Sequence, residues 1–355
     1  MSVLAINPGS TSTKIAVYSN LKVIFYKNIK HSSDDLKPFT KITDQYEFRK
    51  NIIYEELKKS NIDLTTIRAV VGRGGLLKPI PSGVYAVNEV MKADLRKGIL
   101  GEHASNLGGL IADSIANELG TAKAYIADPV VVDELADIAR ISGHPLLDRM
   151  SIFHALNHKA VARFHAKCIS RNYEDLNLIV VHLGGGITVG AHKKGKVIDV
   201  NQGLDGEGPF SPERTGTLPV GALAKLCFSG DYSHEQVKKM ITGEGGFVAY
   251  FGTNDAMEVE NMINNGDAKA ELVFEAMAYQ VSKEIGAMAT VLKGKIDGIL
   301  ITGGLANSKW FVEMILDSVA FLAPVSIYPG EDEMKALAMN GFLVLNNEIE
   351  VKNYK

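Results

Sequence analysis

The chain begins MSVLAINPGSTSTKIAVYSN (residues 1–20), in which an apolar run, VLAI, gives way to NPGSTSTK and then resumes as IAVY. Two apolar runs this close read as β-strands joined by a tight loop. In that loop Gly9 frees the backbone to turn, residues 10–13 offer hydroxyl and amide donors, and Lys14 places a point charge at the next strand. Such a set suits phosphate oxygens. The Walker spacing GxxxxGK[ST] is absent, so the alternative for this stretch alone is a hydroxyl-rich hairpin turn. A third strand-like run, KVIFYKNI, comes directly after it.

The same plan recurs in LIVVHLGGGITVGAHKKGKVIDV (residues 178–200): strand, small flexible loop, strand, basic turn, strand. Identity between the two copies is low, so the expectation of an internal duplication rests on pattern. Gly184, Gly185 and Gly186 allow a backbone to approach a ligand more closely than side chains permit. A third glycine turn, Gly303–Gly304 in ITGGLANS, lies between a strand and a helix, where α/β proteins receive nucleotides. Helical patterns lie near Tyr46–Ser60, Glu102–Leu119 and Ala268–Leu292. Strand, glycine and helix in this order predict two similar α/β lobes with a cleft between them.

Composition bounds the rest. The 355 residues are 46% hydrophobic and 22% charged, enough for two cores, and the net charge is −3 with both signs dispersed. Nothing resembles an electrostatic footprint for nucleic acid or anionic lipid. Cys168 and Cys227, the only cysteines, make no disulfide framework. With no basic leader and no apolar run of about 18 residues, the expectation is a soluble, cytoplasmic protein with small-molecule partners.

Among the charged residues, Arg73 and Arg214 sit in turns where a guanidinium can enter a cleft and fork onto carboxylate or phosphate. His103, His154, His158 and His165 cluster mid-chain; no HExxH or cysteine partner accompanies them, which favours oxygen donation or buried hydrogen bonding over zinc. Asp128 ends a strand, and Glu331, Asp332 and Glu333 form an acidic patch. Carboxylates near phosphate loops are what hydrated Mg²⁺ needs, while the alternative for the patch is a helix N-terminus.

Taken in order, INPGSTSTK, VVGRGG, GEHASNLGG, YIADP, FHALNHK, HLGGGIT, PERTG, ITGGLANS and YPGEDEM resemble the acetokinase family across nearly the whole chain, its butyrate kinase branch most closely in wording. The resemblance implies a duplicated ribonuclease-H-like α/β fold, shared with actin, hexokinase and the 70-kDa heat-shock chaperones, with ATP in a central cleft. Its expected domains are 1–130, completed by a C-terminal helix at 334–355, and 131–333. By the same resemblance Ser10, Ser12, Lys14, His182 and Gly184–Gly186 bind ATP phosphates, and Gly303 and Gly304 form the adenosine turn. Arg73, His158 and Arg214 are the implied catalytic residues, with Asp128 an acid near the metal. His103, Arg73, Gly74 and Gly75 face the substrate, and Asn7 and Glu333 serve Mg²⁺. A dimer or an assembly of dimers is implied. The chain differs from acetate kinases in three places: VVGRGG replaces GHRxxHGG, the third glycine turn ends LAN in place of GEN, and AYFGTNDAMEVE replaces the adenine-side DFRD.

An aliphatic carboxylic acid, with a pKa of about 4, is ionised at neutral pH and needs no general base to accept a phosphoryl group. The task is to neutralise and align two anions, which suits the cation-rich set of residues. The implied reaction is reversible transfer from ATP to butanoate, with acetate, propionate or branched acids as alternatives. Gly74 and Gly75, in place of larger residues, are expected to leave room for a longer alkyl tail. A sugar kinase would need a carboxylate base, for which Asp128 is the one candidate. A nucleotide-switched binding protein of the actin or chaperone kind is the non-enzymatic alternative.

Overall fold

The computed structural model describes residues 1–330 and 332–355, so of the acidic patch Glu331 lies outside the described residues. The opening stretch forms an antiparallel meander of β1 (Ser2–Pro8), β2 (Ser12–Ser19) and β3 (Lys22–Lys30). β1 is buried along its whole length. A strand covered on both faces has no polar side to alternate with, hence the unbroken VLAI. β4 (Ile67–Arg73) pairs in parallel with β1, and β5 (Val84–Ala86) and β6 (Lys123–Ala127) extend the sheet beyond it.

A second meander comprises β7 (Asn177–Leu183), β8 (Ile187–Lys193) and β9 (Lys196–Val200). Next to β7 lie β10 (Gly298–Gly303) and β11 (Val325–Pro329), both parallel. β12 (Val351–Asn353) closes the edge of the first sheet beside β5. The strand orders are β3-β2-β1-β4-β6-β5-β12 and β9-β8-β7-β10-β11. Each begins with a reversed meander and then adds two parallel strands, so the duplication suggested by pattern is a duplication of topology.

The chain divides into two compact units, Met1–Val132 with Asp332–Lys355, and Asp133–Glu331. In the first, Leu4, Ile6 and Val70 join a core with Ile53 of the helix Tyr46–Lys59 and with Leu107 and Ile111 of the helix Asn106–Leu119. Val3 and Val71 point to the other face, where the returning helix Glu333–Leu345 lies close enough that a Cβ on Gly341 would stand 2.6 Å from Val3 Cγ1. In the second unit Ile179, Val181, Ile299 and Ile301 pack with Phe274, Met277 and Phe311 of the helices Ala268–Val291 and Lys309–Val319. The opposite face carries Leu178, Val180 and Leu300 against Ala162 and Ala166 of the helix Ala155–Cys168. Each unit is a sheet between helical layers. Among the described residues no helix is long and apolar enough to cross a membrane.

Backbone meets backbone at the end of β4. A Cβ on Gly72 would lie 2.2 Å from the Gly108 carbonyl oxygen, and one on Gly108 would lie 2.2 Å from that of Arg73. Only glycines allow the N-terminal turn of the helix Asn106–Leu119 to rest on the backbone at Arg73.

Candidate active site

Asn7 and Arg73 lie near the C-terminal ends of the parallel neighbours β1 and β4, which pair with Ile6 opposite Gly72. In open α/β sheets ligands gather at such ends. Glu333, the first residue of the C-terminal helix, completes the group. The Asn7 amide donates to Glu333 Oε2 at 2.5 Å, while Arg73 Nη1 donates to the same oxygen at 3.2 Å and to Asn7 Oδ1 at 3.4 Å. Lys14 pairs across the hairpin with Asn7, and Ser10 on the turn is exposed. The first unit thus brings Asn7, Arg73 and Glu333 into contact, beside the hairpin that carries Ser10 on its turn and Ser12 and Lys14 on β2.

His103 is exposed just before the helix Asn106–Leu119, with Nδ1 2.8 Å from the Ser105 hydroxyl. Asp128, at the end of β6, is 1% exposed and adopts φ +35°. Its Oδ1 accepts from the Ser82 hydroxyl at 2.6 Å and the Gly83 amide at 2.8 Å, pinning the turn into β5. The room expected at Gly74 and Gly75 does not exist. A Cβ on Gly74 would meet Pro129 Cβ at 2.4 Å, and one on Gly75 would meet Asn106 Oδ1 at 2.4 Å. These glycines admit neighbouring residues to the end of β4, and the space they leave is filled by the protein itself.

In the second unit, His182 near the end of β7 leads into the Gly184–Gly186 turn. Its Nδ1 is 2.9 Å from Asn157 Oδ1, and its ring stacks on His154 with centroids 3.8 Å apart. His154 Nδ1 lies 3.0 Å from Thr188 Oγ1. The expected catalytic role of His158 does not match its position. The ring is fully buried, with Nε2 2.9 Å from Thr188 Oγ1 and Nδ1 3.2 Å from His192 Nε2, and His192 in turn meets the Tyr173 hydroxyl at 2.7 Å. Burial, and then the neighbouring His182, hold His158 well below the ordinary histidine range. His158 therefore sits behind the surface as a neutral buttress. The partly exposed ring is that of His154, which precedes the helix at its N-cap.

Arg214 lies against the glycine turn. A Cβ on Gly186 would fall 2.1 Å from its Nη1, which donates to the Gly203 carbonyl. Beside this turn opens a pocket of about 840 Å³ lined by Gly184, Gly185, Glu213, Asn254, Gly304 and Asn307 among others. Asn254 donates to Glu213 Oε1 at 2.5 Å. Gly304 lines the pocket, whereas Gly303 lies beneath it at φ +97°, where a Cβ would meet the Leu183 carbonyl oxygen at 2.2 Å. Sequence reasoning missed Glu213 and Asn254 as site residues, and although it grouped His154 with the mid-chain histidines it gave the catalytic role to His158. Glu213 adjoins Arg214 in PERTG, and Asn254 lies within the stretch that differs from DFRD, so both carried a local signal.

The sequence model of the acetokinase family matches residues 145–342. Butyrate kinase 2 of Clostridium acetobutylicum is 58% identical over 353 residues, covering 99% of each chain, and butyrate kinase 1 of the same organism is 55% identical over the same share. The chain belongs to the acetokinase family. A crystal structure of acetate kinase from Porphyromonas gingivalis, 19% identical, matches with a TM-score of 0.80 over 97% of this chain and 99% of that one. At that identity the likeness shows the fold, which is the duplicated α/β acetokinase fold that the opening motifs imply.

Proposed function

We propose that this acetokinase catalyses reversible phosphoryl transfer from ATP to the carboxylate of butanoate, giving ADP and butanoyl phosphate. The observation that carries this reading is the Asn7–Arg73–Glu333 cluster, in which the one carboxylate is already engaged by Arg73, on a chain 58% identical to a butyrate kinase along its whole length. A substrate that arrives ionised needs charge neutralised and geometry held, and a guanidinium provides both. A hydroxyl acceptor would need a carboxylate base, and Asp128, the candidate for it, is buried with Oδ1 already engaged.

In the first unit Arg73 orients the acid, His103 and Asp128 support that side, and Ser10, Ser12 and Lys14 hold phosphoryl oxygens. In the second, the pocket beside Gly184–Gly186 and Gly304 takes the adenosine end of the nucleotide, with His182 and Arg214 at its phosphates. His154, in place of His158, is the imidazole that donates to the transferring group. Donors aimed at developing charge typically contribute a few kcal/mol each.

Magnesium fits the donor set. Among the described residues no group of three or more His, Cys, Asp or Glu could cage a metal, but Glu333 and Asn7 offer a carboxylate and an amide oxygen. Mg²⁺ keeps most of its waters and borrows one or two protein oxygens. When bound with ATP it supplies charge neutralisation at the phosphates.

We place the enzyme in the cytoplasm, which accords with two exposed free cysteines. Homo-oligomerisation is supported by the helix Val220–Cys227, whose single charge is Lys225 and none of whose residues is buried. Because Pro129 and Asn106 fill the space beside Gly74 and Gly75, the four-carbon preference rests on the relatives. Hydroxylamine trapping of the acyl phosphate formed from acetate, propionate, butanoate and isobutanoate, with ATP and Mg²⁺, tests the assignment. Butanoate should give the highest turnover. A maximum at acetate would reject the chain length, and no hydroxamate from any acid would reject the reaction.

A further inference from the structure

Beneath the opening loop lies a charge that the reaction proposed above leaves unexplained. Arg49, on the helix Tyr46–Lys59, is 0% exposed, and every partner seen for its guanidinium among the described residues is neutral. Nη1 donates to the carbonyls of Gly9 at 2.7 Å and Ser12 at 3.1 Å and to the Thr13 hydroxyl at 3.0 Å, and Nη2 donates to the Ser10 carbonyl at 3.0 Å. Nε and Nη2 also donate to Gln45 Oε1, at 3.0 and 2.8 Å. A carboxamide thus stands where a carboxylate would normally accompany a buried cation.

The consequence comes from peptide geometry. In a trans peptide the carbonyl of one residue points opposite to the N–H of the next, and among the described residues no peptide bond is cis. Carbonyls of Gly9 and Ser10 turned down onto Arg49 therefore turn the Ser10 and Thr11 amides up, on the face where both residues are exposed. Successive amides facing one way form an anion-binding concavity. His31, which shares Thr13 Oγ1 with Arg49 at 2.9 Å, is pushed down to about 4 by burial and then by the Arg49 charge, in keeping with a positive field beneath the loop.

We propose that Arg49 is the positioning residue of the first phosphate loop: it turns the loop carbonyls inward and the amides outward, and supplies a buried positive charge whose counterion is the bound nucleotide phosphate. This rests on the kinase reading above. A purely structural guanidinium would be served equally well by a carboxylate at position 45, whereas the proposed role requires that position to be neutral.

The test is Gln45→Glu, which keeps both hydrogen bonds and gives Arg49 an internal counterion. Pyrophosphate and ADP binding by calorimetry should weaken roughly tenfold, and the KM for ATP should rise to match, since the loop loses one nearby unit of charge. The KM for butanoate should stay within about threefold and the melting temperature should not fall. Wild-type affinity for pyrophosphate in Q45E, in an enzyme that still makes hydroxamate, would overturn the role of Arg49 and leave the kinase reading intact. A wild-type protein that neither makes hydroxamate nor binds pyrophosphate would overturn the kinase reading itself. Should Q45E not fold, Arg49→Lys against Arg49→Met decides: lysine should bind pyrophosphate at least about tenfold more tightly than methionine, and equal affinities would overturn the proposal.

Discussion

His154 and His182 lie ring over ring, with centroids 3.8 Å apart and planes inclined by 16°. Each is held from the side, His154 by the Thr188 hydroxyl and His182 by the Asn157 amide oxygen. This stacking orients the imidazole at the head of the helix Ala155–Cys168, and it separates two histidines that the sequence makes look equivalent. His154→Asn should lower kcat about a hundredfold while leaving the melting temperature unchanged. His158→Ala should act mainly on stability, costing about 1–3 kcal/mol by leaving the buried His192 Nε2 without its partner. Steady-state kinetics and thermal melting on both variants separate the roles, and a reversed pattern would restore His158 as the catalytic ring.

The paired glycines of the third turn should respond in opposite ways. Gly303→Ala places a methyl 2.2 Å from the Leu183 carbonyl oxygen at a positive φ, so it should destabilise the second unit by several kcal/mol. Gly304→Ala meets nothing within 4 Å and leaves the fold intact, but its methyl enters the pocket proposed for the nucleotide. Its expected effect is a raised KM for ATP with an unaltered unfolding midpoint. Denaturant titration and ATP kinetics measure the two.

Glu333→Gln keeps the shape of the side chain and removes its charge opposite Arg73, which stands 3.2 Å away. The Mg²⁺ concentration for half-maximal activity should rise about tenfold or more, with a parallel fall in kcat. An unchanged Mg²⁺ requirement would remove Glu333 from the metal's surroundings.

Acid should weaken the second unit earlier than carboxylate titration alone predicts. Burial holds both His158 and His192 well below their ordinary range, with His182 and His158 respectively as the next cause. In the unfolded chain these rings take up protons near pH 6.5, while in the folded chain they do not, so the unfolded state binds more protons below that pH. Stability is therefore fully present above about pH 6.5 and falls as pH drops, by up to about 1.4 kcal/mol per unit for each ring. His31 should add a similar loss to the first unit between its unfolded value near 6.5 and about 4. Melting temperatures from pH 7.5 to 5 should decline, and the decline should flatten in His192→Gln.

Much of this was legible because it is local. The duplication could be read from two meanders, each with a small-residue loop between apolar runs, since hairpin pairing joins neighbours in the chain. Arg73 and Glu333 could be named from motifs, although they are 260 positions apart. Glycines were where reading failed. Gly74 and Gly75 looked like space, yet Pro129 and Asn106 fill it. A missing side chain shows only that something comes close, and what comes close arrives from elsewhere in the chain.

By itself the sequence determined the class of fold, the three glycine turns and the cationic character of the site, because strand period, turn chemistry and residue charge are properties of short segments. Tertiary structure alone decided that His154 meets solvent while His158 is buried, that Gly304 faces the pocket while Gly303 underlies it, and that Arg49 sits beneath the loop with a carboxamide for company. In each case the role of a residue, one of two of the same type or a charge with only neutral partners, is decided by which surface packs against it. That depends on contacts between distant segments, and no window of sequence contains them.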